Sequence, residues 1–473
     1  MIQKRLLGLW LWLIVITLQV GAKGDIPTTL YNKLHAYPIS SANYSVHVQQ
    51  VGSATPIVSW NSSVSRSPAS VIKLLTTYSA LLSLGYDYRW ETQFYHTGYI
   101  RKGVLRGDII VKASGDPTLA TENLPGIVSQ LKALGVQKVL GNIVIDRTLF
   151  RVPNKNNSRF DQNIYSPYNA MPDAIMFNER KSTLCITPSG RSVHLDRIDN
   201  DASYKIVNNL QMVSGSCHGN QSWPRVSIKT DTSQRSTIFL SGKLSTQCGP
   251  RTVCKVISMP HRSFYYALKE ELKNQGIYFN GTLKLNPMPK SAHYLFSHYS
   301  DTLENIISTI AKESNNVMAR QVLLTLGSKF AELPSTTFKG AKAVEEILGR
   351  YNILKGETFI ANGSGLSRRS RLTAQSLANL LDHAALHYGD RWMNTLSIAG
   401  VDGTIKRRFA HSSVCCRAWM KTGTIQNVAN IAGYVEGASG EKYVVVVLVN
   451  DKYAARYGQK LADSVIEWVA NSL

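Results

Sequence analysis

A chain of 473 residues is longer than one ordinary hydrophobic core can organise, so two or three domains are expected. Its 53 Lys and Arg against 31 Asp and Glu give a formal net charge of +22, which points to an acidic partner, yet no helix-turn-helix, RNP or zinc-finger signature accompanies the charge, and nucleic-acid modules are excluded. The six cysteines (Cys185, Cys217, Cys248, Cys254, Cys415 and Cys416) are too sparse for a disulfide-built scaffold and follow no zinc-ligand spacing.

The N-terminus reads "MIQKRLLGLWLWLIVITLQVGAKG", with basic Lys4 and Arg5, an apolar run from Leu6 to Val20, and small Gly21 and Ala22. This pattern predicts a secretory signal peptide over 1–22, cut after Ala22. The run is short for a retained membrane anchor. The expected address is therefore the periplasm, with the mature chain soluble or at most peripheral to a membrane. Loss of Lys4 and Arg5 leaves a charge of +20, which suits an anionic wall polymer or a lipid surface, or serves solubility alone. An oxidising compartment predicts a bridge among Cys185, Cys217, Cys248 and Cys254. Cys248 and Cys254 are close enough to close a small loop, whereas adjacent Cys415 and Cys416 would need a strained bridge.

"YSVHVQQVG" and "TPIVSW" alternate like two strands around a Gly-Ser turn. Next comes "SRSPASVIKLLTTYSALLSLG", residues 65–85, an apolar helical run with Pro68 near its start. Ser70 falls in the first turn, where unpaired N–H groups and the helix dipole favour developing negative charge, and Lys73 lies one turn on over the same face. The spacing alone is weak, because Ser129/Lys132 and Ser439/Lys442 repeat it; a snorkelling surface lysine explains it as readily. From about 96 to 290 the chain is rich in short strand-like runs, including "GDIIVKAS", "GNIVID", "STIFLSG" and "GTLKLN", with one clear helix, "PGIVSQLKALG". This stretch reads as an inserted β-rich domain or pair of domains.

Ser314, Asn315 and Asn316 open the helical run in "TIAKESNNVMARQVLLTLG". Ser-x-Asn is also weak alone, since Ser41–Asn43 and Ser59–Asn61 match it and a polar helix cap accounts for it. Lys421-Thr422-Gly423-Thr424 occurs once, within the strand-like "CCRAWMKTGTIQNVANIAGYVEG", where a glycine lets a ligand approach the backbone. That stretch and "KYVVVVLVN" read as long strands joined through Gly437 to Glu441, followed by a helix carrying Leu461, Val465, Trp468 and Val469. Elements from both ends of the chain can thus share one α+β domain.

The three motifs in this order, on a helix start, a helix start and a strand, form the active-site signature of penicillin-binding proteins and serine β-lactamases. The blocks "PASVIKLLTTYSALLSLGYDYRWETQFYHTG", "GVLRGDIIVKASGDPTL", "GNIVIDRTLF", "ANGSGLSRRSRLT", "VDGTIKRRF" and "KTGTIQNVANIAGYV" resemble successive blocks of the D-alanyl-D-alanine carboxypeptidase/endopeptidase family, the class C low-molecular-mass penicillin-binding proteins of peptidase family S13. The first two motifs lie 244 positions apart, as a large insertion requires and unlike a class A β-lactamase.

The resemblance implies an α+β penicillin-binding domain over 23–95 and 291–473, an antiparallel sheet flanked by helices, with the β-rich insertion at 96–290. It implies Ser70 as nucleophile, Lys73 as its base, Ser314 as proton relay and Asn316 as holder of Lys73 and substrate. Lys421, with Thr422, Gly423 and Thr424, would bind the substrate carboxylate, and the Ser70 and Thr424 N–H groups would form the oxyanion hole. The implied partners are peptidoglycan stem peptides, with β-lactams as inhibitors; no cofactor or metal is implied, and the oligomeric state is open. Family members often read "AAIVDRN" where this chain has "DAIMFNERKS", 173–182, so the aspartate that meets the stem peptide's amine is displaced. Glu179 or Asp173 substitutes for it, or the contact is absent. A serine β-lactamase, and a non-catalytic wall-binding or regulatory protein on the same fold, are the competing readings.

Overall fold

The computed structural model describes residues 26–155, 157–233 and 235–473; the apolar run Leu6 to Val20 and the cleavage site expected after Ala22 lie outside them. Among the described residues no helix is long and apolar enough to cross a membrane.

Strands from the two ends of the chain meet in one six-stranded antiparallel sheet, ordered Ser397–Ile398, Ala418–Ile425, Val428–Glu436, Lys442–Asn450, Tyr44–Gln50, Val58–Trp60. The unbroken apolar run of Lys442–Asn450 follows from burial on both faces. Val444, Val446 and Leu448 enter one core, while Val445, Val447 and Val449 enter the other. A strand covered on both sides has no reason to alternate with polar residues. The C-terminal helix Gln459–Ser472 covers one face with Leu461, Val465, Trp468 and Val469.

The other face carries a helical layer that includes Leu303–Lys312, Asn316–Phe330, Thr337–Arg350 and Ala374–Met393. The helix Lys73–Leu84 runs through its middle and touches all four, so every residue from Lys73 to Leu81 is buried. A helix enclosed on all sides shows no charged outer face, and its polar Thr76 and Thr77 are buried with their hydroxyls donating to the Gly363 and Lys73 carbonyls.

Between these halves the chain builds separate sheets. Glu91–His96 pairs antiparallel with His293–Tyr299, so the two ends of the inserted stretch close on each other, and the break expected at 95/96 falls inside the first strand. With Ile109–Lys112, Ile143–Asp146 and Leu283–Leu285 they make a five-stranded mixed sheet whose core includes the helices Leu124–Ala133 and Pro260–Asn274. Two three-stranded sheets share a smaller core around Leu184, Tyr204, Ile238 and Leu240.

Some local features differ from expectation. Pro260–Asn274 is a second long helix in a stretch expected to hold one; its aromatic Phe264-Tyr265-Tyr266 masks a proline at the start and buried Phe264, Leu268 and Leu272 at four-residue spacing. The stretch before Gly437, expected as one long strand, is a hairpin that reverses at Gln426-Asn427, with Asn427 in the left-handed region at φ 62°. Asparagine tolerates that conformation, but no glycine advertises the turn. A disulfide joins Cys217 to Cys248, 31 residues apart, while Cys254 lies on a strand opposite Thr183.

Peptide mapping of the non-reduced protein is expected to recover the Cys217–Cys248 pair, with Cys185, Cys254, Cys415 and Cys416 open to alkylation. Closing a loop of this length limits the unfolded chain, so Cys217→Ser is expected to cost about 3–4 kcal/mol in chemical denaturation of the inserted region.

Candidate active site

Ser70 lies in a short 3-10 turn, Ala69–Ile72, that runs directly into the helix Lys73–Leu84. The residue before it, Ala69, sits at φ 45°, a conformation that a residue with a Cβ adopts only when its surroundings enforce it. Two glycines let neighbouring backbone close on this turn. A Cβ at Gly365 (φ 82°) would fall 2.0 Å from the Ala69 carbonyl oxygen and 2.8 Å from the Ser70 nitrogen, and one at Gly423 would also fall 2.8 Å from that nitrogen.

Lys73 is fully buried. Its Nζ lies 2.9 Å from Ser70 Oγ, 2.6 Å from Asn316 Oδ1 and 2.5 Å from the Ser364 carbonyl oxygen. Two of these partners can only accept, while the hydroxyl can also donate. A neutral amine, with two N–H groups and one lone pair, satisfies all three contacts and then receives the Ser70 proton. Desolvation holds the Lys73 pKa well below the usual lysine range, and the charges of Lys421 and Arg320 push it the same way.

Ser314 bridges to the second lysine. It occupies the link between Leu303–Lys312 and Asn316–Phe330 at φ 57°, and Lys421 Nζ donates to its Oγ at 2.9 Å. Asn315 caps the following helix by accepting from the Met318 N–H, and its own amide donates to Glu179 of the inserted stretch. Asn316, first in the helix, turns its Oδ1 to Lys73 and donates from Nδ2 to the Tyr168 carbonyl at 3.3 Å. Lys421 is fully buried and also donates to the Thr422 carbonyl; burial pushes its pKa down to about 7.

Lys421 to Thr424 lie on a half-open strand edge. Ser397–Ile398 pairs only with Met420 and Trp419, so beyond Met420 that edge of Ala418–Ile425 has no neighbouring strand among the described residues. The Ala418 carbonyl faces this edge, accepting from the Ala399 N–H. By the two-residue period of a strand, the backbone groups of Thr422 and Thr424 face it too. The free edge can therefore receive an extended peptide, with the Thr424 N–H directed at it. The Thr422 hydroxyl donates to Thr404 Oγ1 at 2.9 Å, and Thr424 is exposed.

The repeated spacings lie elsewhere. Ser129 and Lys132 are exposed and bond to Gln275; Lys442 pairs with Asp390; Ser41–Asn43 and Ser59–Asn61 pack on one another, Trp60 and Asn61 donating to the Ser41 carbonyl. Asp173 is buried against Arg147, and Glu179 bonds to Asn315 and Lys181, so both carboxylates already have partners in the protein.

Sequence reasoning missed Arg320, Ser364, Thr404 and Tyr168. Arg320 is buried, with its pKa lowered to about 10 by burial; it donates to Ser364 Oγ and to the Ala170 carbonyl. The available signal was an arginine four residues past Asn316 on an otherwise apolar helix, and a Gly-Ser-Gly at 363–365.

The model of the D-Ala-D-Ala carboxypeptidase 3 (S13) family matches residues 29–472. Similar curated proteins include the D-alanyl-D-alanine carboxypeptidase DacB of Haemophilus influenzae, 26% identical over 83% of this chain and 82% of that one. The D-alanyl-D-alanine carboxypeptidase of an Actinomadura species is 27% identical over 79% of this chain and 71% of that one. Among solved structures, penicillin binding protein 4 (dacB) from Haemophilus influenzae superposes with a TM-score of 0.75 at 24% identity, covering 90% of this chain and 93% of its own.

Gly365→Ala is expected to push the Ala69–Ser70 peptide out of place. Reaction of Ser70 with an acylating probe should then slow on the order of 10²-fold, a loss typical of misplacement by about 1 Å, while circular dichroism stays native.

Proposed function

The chain belongs to the D-Ala-D-Ala carboxypeptidase 3 (S13) family, a serine DD-peptidase of peptidoglycan that β-lactams bind, and from that premise we propose how its own residues carry the reaction. The observation that carries the reading is Lys73, fully buried, with Ser70 Oγ 2.9 Å away and only neutral partners.

Ser70 Oγ attacks the carbonyl carbon of the penultimate D-alanine, and its proton passes to the lone pair of neutral Lys73. The carbonyl oxygen becomes an oxyanion held by the N–H groups of Ser70 and Thr424. As the C–N bond breaks, the proton that Lys73 took from Ser70 passes by way of the Ser314 hydroxyl to the leaving amine, which returns Lys73 to the neutral form; Lys421 holds Ser314 Oγ in place. Water then attacks the Ser70 ester, giving a proton to neutral Lys73 as it adds, and Lys73 returns that proton to Ser70 Oγ as the ester C–O bond breaks and the shortened peptide leaves. Lys421 draws the substrate carboxylate to the free strand edge, with the Thr422 and Thr424 hydroxyls completing its contacts, and Asn316 holds both Lys73 and the substrate amide. Lys421 and Arg320 bring cationic side chains to the site beside neutral Lys73, and their hydrogen-bond partners are neutral, so the cleft favours an anion.

The same cleft accepts a D-Ala–diaminopimelate cross-link, because the D-centre of diaminopimelate carries a carboxylate beside the amide that is cut, as a terminal D-alanine does; endopeptidase action belongs to this proposal together with carboxypeptidase action. Export to the periplasm, domains at 23–95 with 291–473 and at 96–290, and docking of the basic surface on wall or membrane also belong to it. A pentapeptide and a cross-linked muropeptide are both expected to be cleaved by the purified protein. Failure on the muropeptide restricts it to carboxypeptidase action.

Benzylpenicillin is expected to acylate Ser70 alone, giving an adduct detectable by intact mass and peptide mapping. Ser70→Ala should abolish adduct and peptide release, and Lys73→Ala should slow acylation by about 10² to 10⁴. Rapid penicillin turnover with no adduct would make the protein a β-lactamase; an adduct mapped elsewhere would refute the assignment.

With its pKa near 7, Lys421 loses its charge as the pH rises through neutrality. For free enzyme acting on a peptide acid, kcat/KM is therefore expected to fall above about pH 7. The descending limb of kcat should lie at higher pH, because bound carboxylate stabilises the ammonium. A C-terminally amidated peptide should lack that limb. Identical profiles for acid and amide would assign Lys421 another role.

A further inference from the structure

A cavity of about 800 Å³ lies in the inserted stretch, away from Ser70, where the five-stranded sheet meets the start of the helix Pro260–Asn274, the turn at Thr232 and Ser233, and Pro334 of the helical layer. Its size is that of a small-molecule site. Phe150 and Leu285 give it an apolar wall, and Arg147, Arg151 and Arg262 line it.

The charge is not balanced locally. Asp173, the only acidic residue lining the cavity among the described residues, is already paired with Arg147. Arg262 donates to the Ser233 carbonyl and stabilises the fully exposed Asp231 carboxylate at longer range, while Arg151 is exposed. A second observation is independent of the arginines. His261 also lines the cavity, is only 6% exposed, and its Nδ1 is buried with no hydrogen-bond partner. Buried polar atoms are nearly always paired, so an unpaired one on a residue that lines the cavity sets this wall apart from the rest of the interior. Burial, and then the charge of Arg147, hold this imidazole neutral by lowering its pKa to about 3.

We infer that this cavity is a second ligand site, separate from the Ser70 cleft, for a small organic anion: a carboxylate or phosphate held by Arg151 and Arg262, on an apolar body that lies along Phe150 and Leu285. The chemistry is shared by soluble fragments of wall peptide, which carry carboxylates, and by short phospholipids, which carry phosphate. The residues lining this cavity include none of those placed around Ser70, so the inference stands or falls independently of the peptidase reaction.

The test titrates 8-anilinonaphthalene-1-sulfonate, an anionic amphiphile that fluoresces in apolar surroundings, into the full-length protein, its Arg151→Glu variant and its Arg262→Gln variant. Saturable binding is expected, weakened about tenfold by Arg151→Glu, as when one attractive rim charge becomes repulsive, and weakened less by Arg262→Gln. Reaction of Ser70 with benzylpenicillin should stay unchanged in both variants, which also reports that they fold. Competition with acetyl-L-alanyl-D-glutamate and with dihexanoylphosphatidate identifies the source by which of them displaces the dye. Fluorescence that is absent, that is equal in all three proteins, or that neither competitor displaces overturns the proposal.

Discussion

The burial of Lys73 is the constraint on which the rest of the structure depends. Removing an ammonium from water costs several kcal/mol, and the protein lowers that cost by favouring the neutral amine. Lys421 and Arg320 reinforce the choice, since like charges nearby oppose protonation. The carbonyl oxygens of Asn316 and Ser364 accept its N–H groups, and the lone pair is left for Ser70. In the proposed reaction this arrangement turns a destabilising burial into a base for Ser70.

Holding that amine in place requires parts of the chain that are far apart. Ser70 and Lys73 come from the first hundred residues, Asn316 and Arg320 from a helix beyond the inserted stretch, Ser364 from a glycine-rich loop, and Lys421 from the hairpin of Ala418–Ile425 and Val428–Glu436. The six-stranded sheet brings them together by pairing Tyr44–Gln50 with Lys442–Asn450. Ala69, at positive φ, and Ser314, likewise, show where the backbone is held in costly conformations by this convergence. The inserted stretch is also tied to the site. Tyr168 accepts from Asn316, Ala170 accepts from Arg320, Glu179 accepts from Asn315, and Asp173 exchanges hydrogen bonds with Gln321 on the same helix.

Much of this was legible in the sequence because its causes are local. Val444 to Val449 announce a strand buried on both faces, and Leu461, Val465, Trp468 and Val469 announce a helix face. Ser-x-x-Lys and Ser-x-Asn are ambiguous alone, whereas Lys421-Thr422-Gly423-Thr424 occurs once, and order and setting separate Ser70/Lys73 from the surface copies Ser129/Lys132 and Ser439/Lys442. What stayed hidden depends on tertiary contact. Arg320 and Ser364 carry no motif, and their importance arises from what lies across the fold from them. The helix Pro260–Asn274 was masked by aromatic residues whose preference for strands is overridden by packing into the inserted core. The reversal at Asn427 lacks the glycine that marks such turns.

The central claim, that Lys73 is neutral when the protein works, is open to direct measurement. Heteronuclear NMR of side-chain-labelled lysine, with Lys73→Ala to assign the resonance, follows the protonation of Nζ as pH changes. The account predicts a Lys73 amine already neutral at pH 7, titrating well below the exposed lysines. An ammonium at Lys73 that persists to the ordinary lysine range would contradict it.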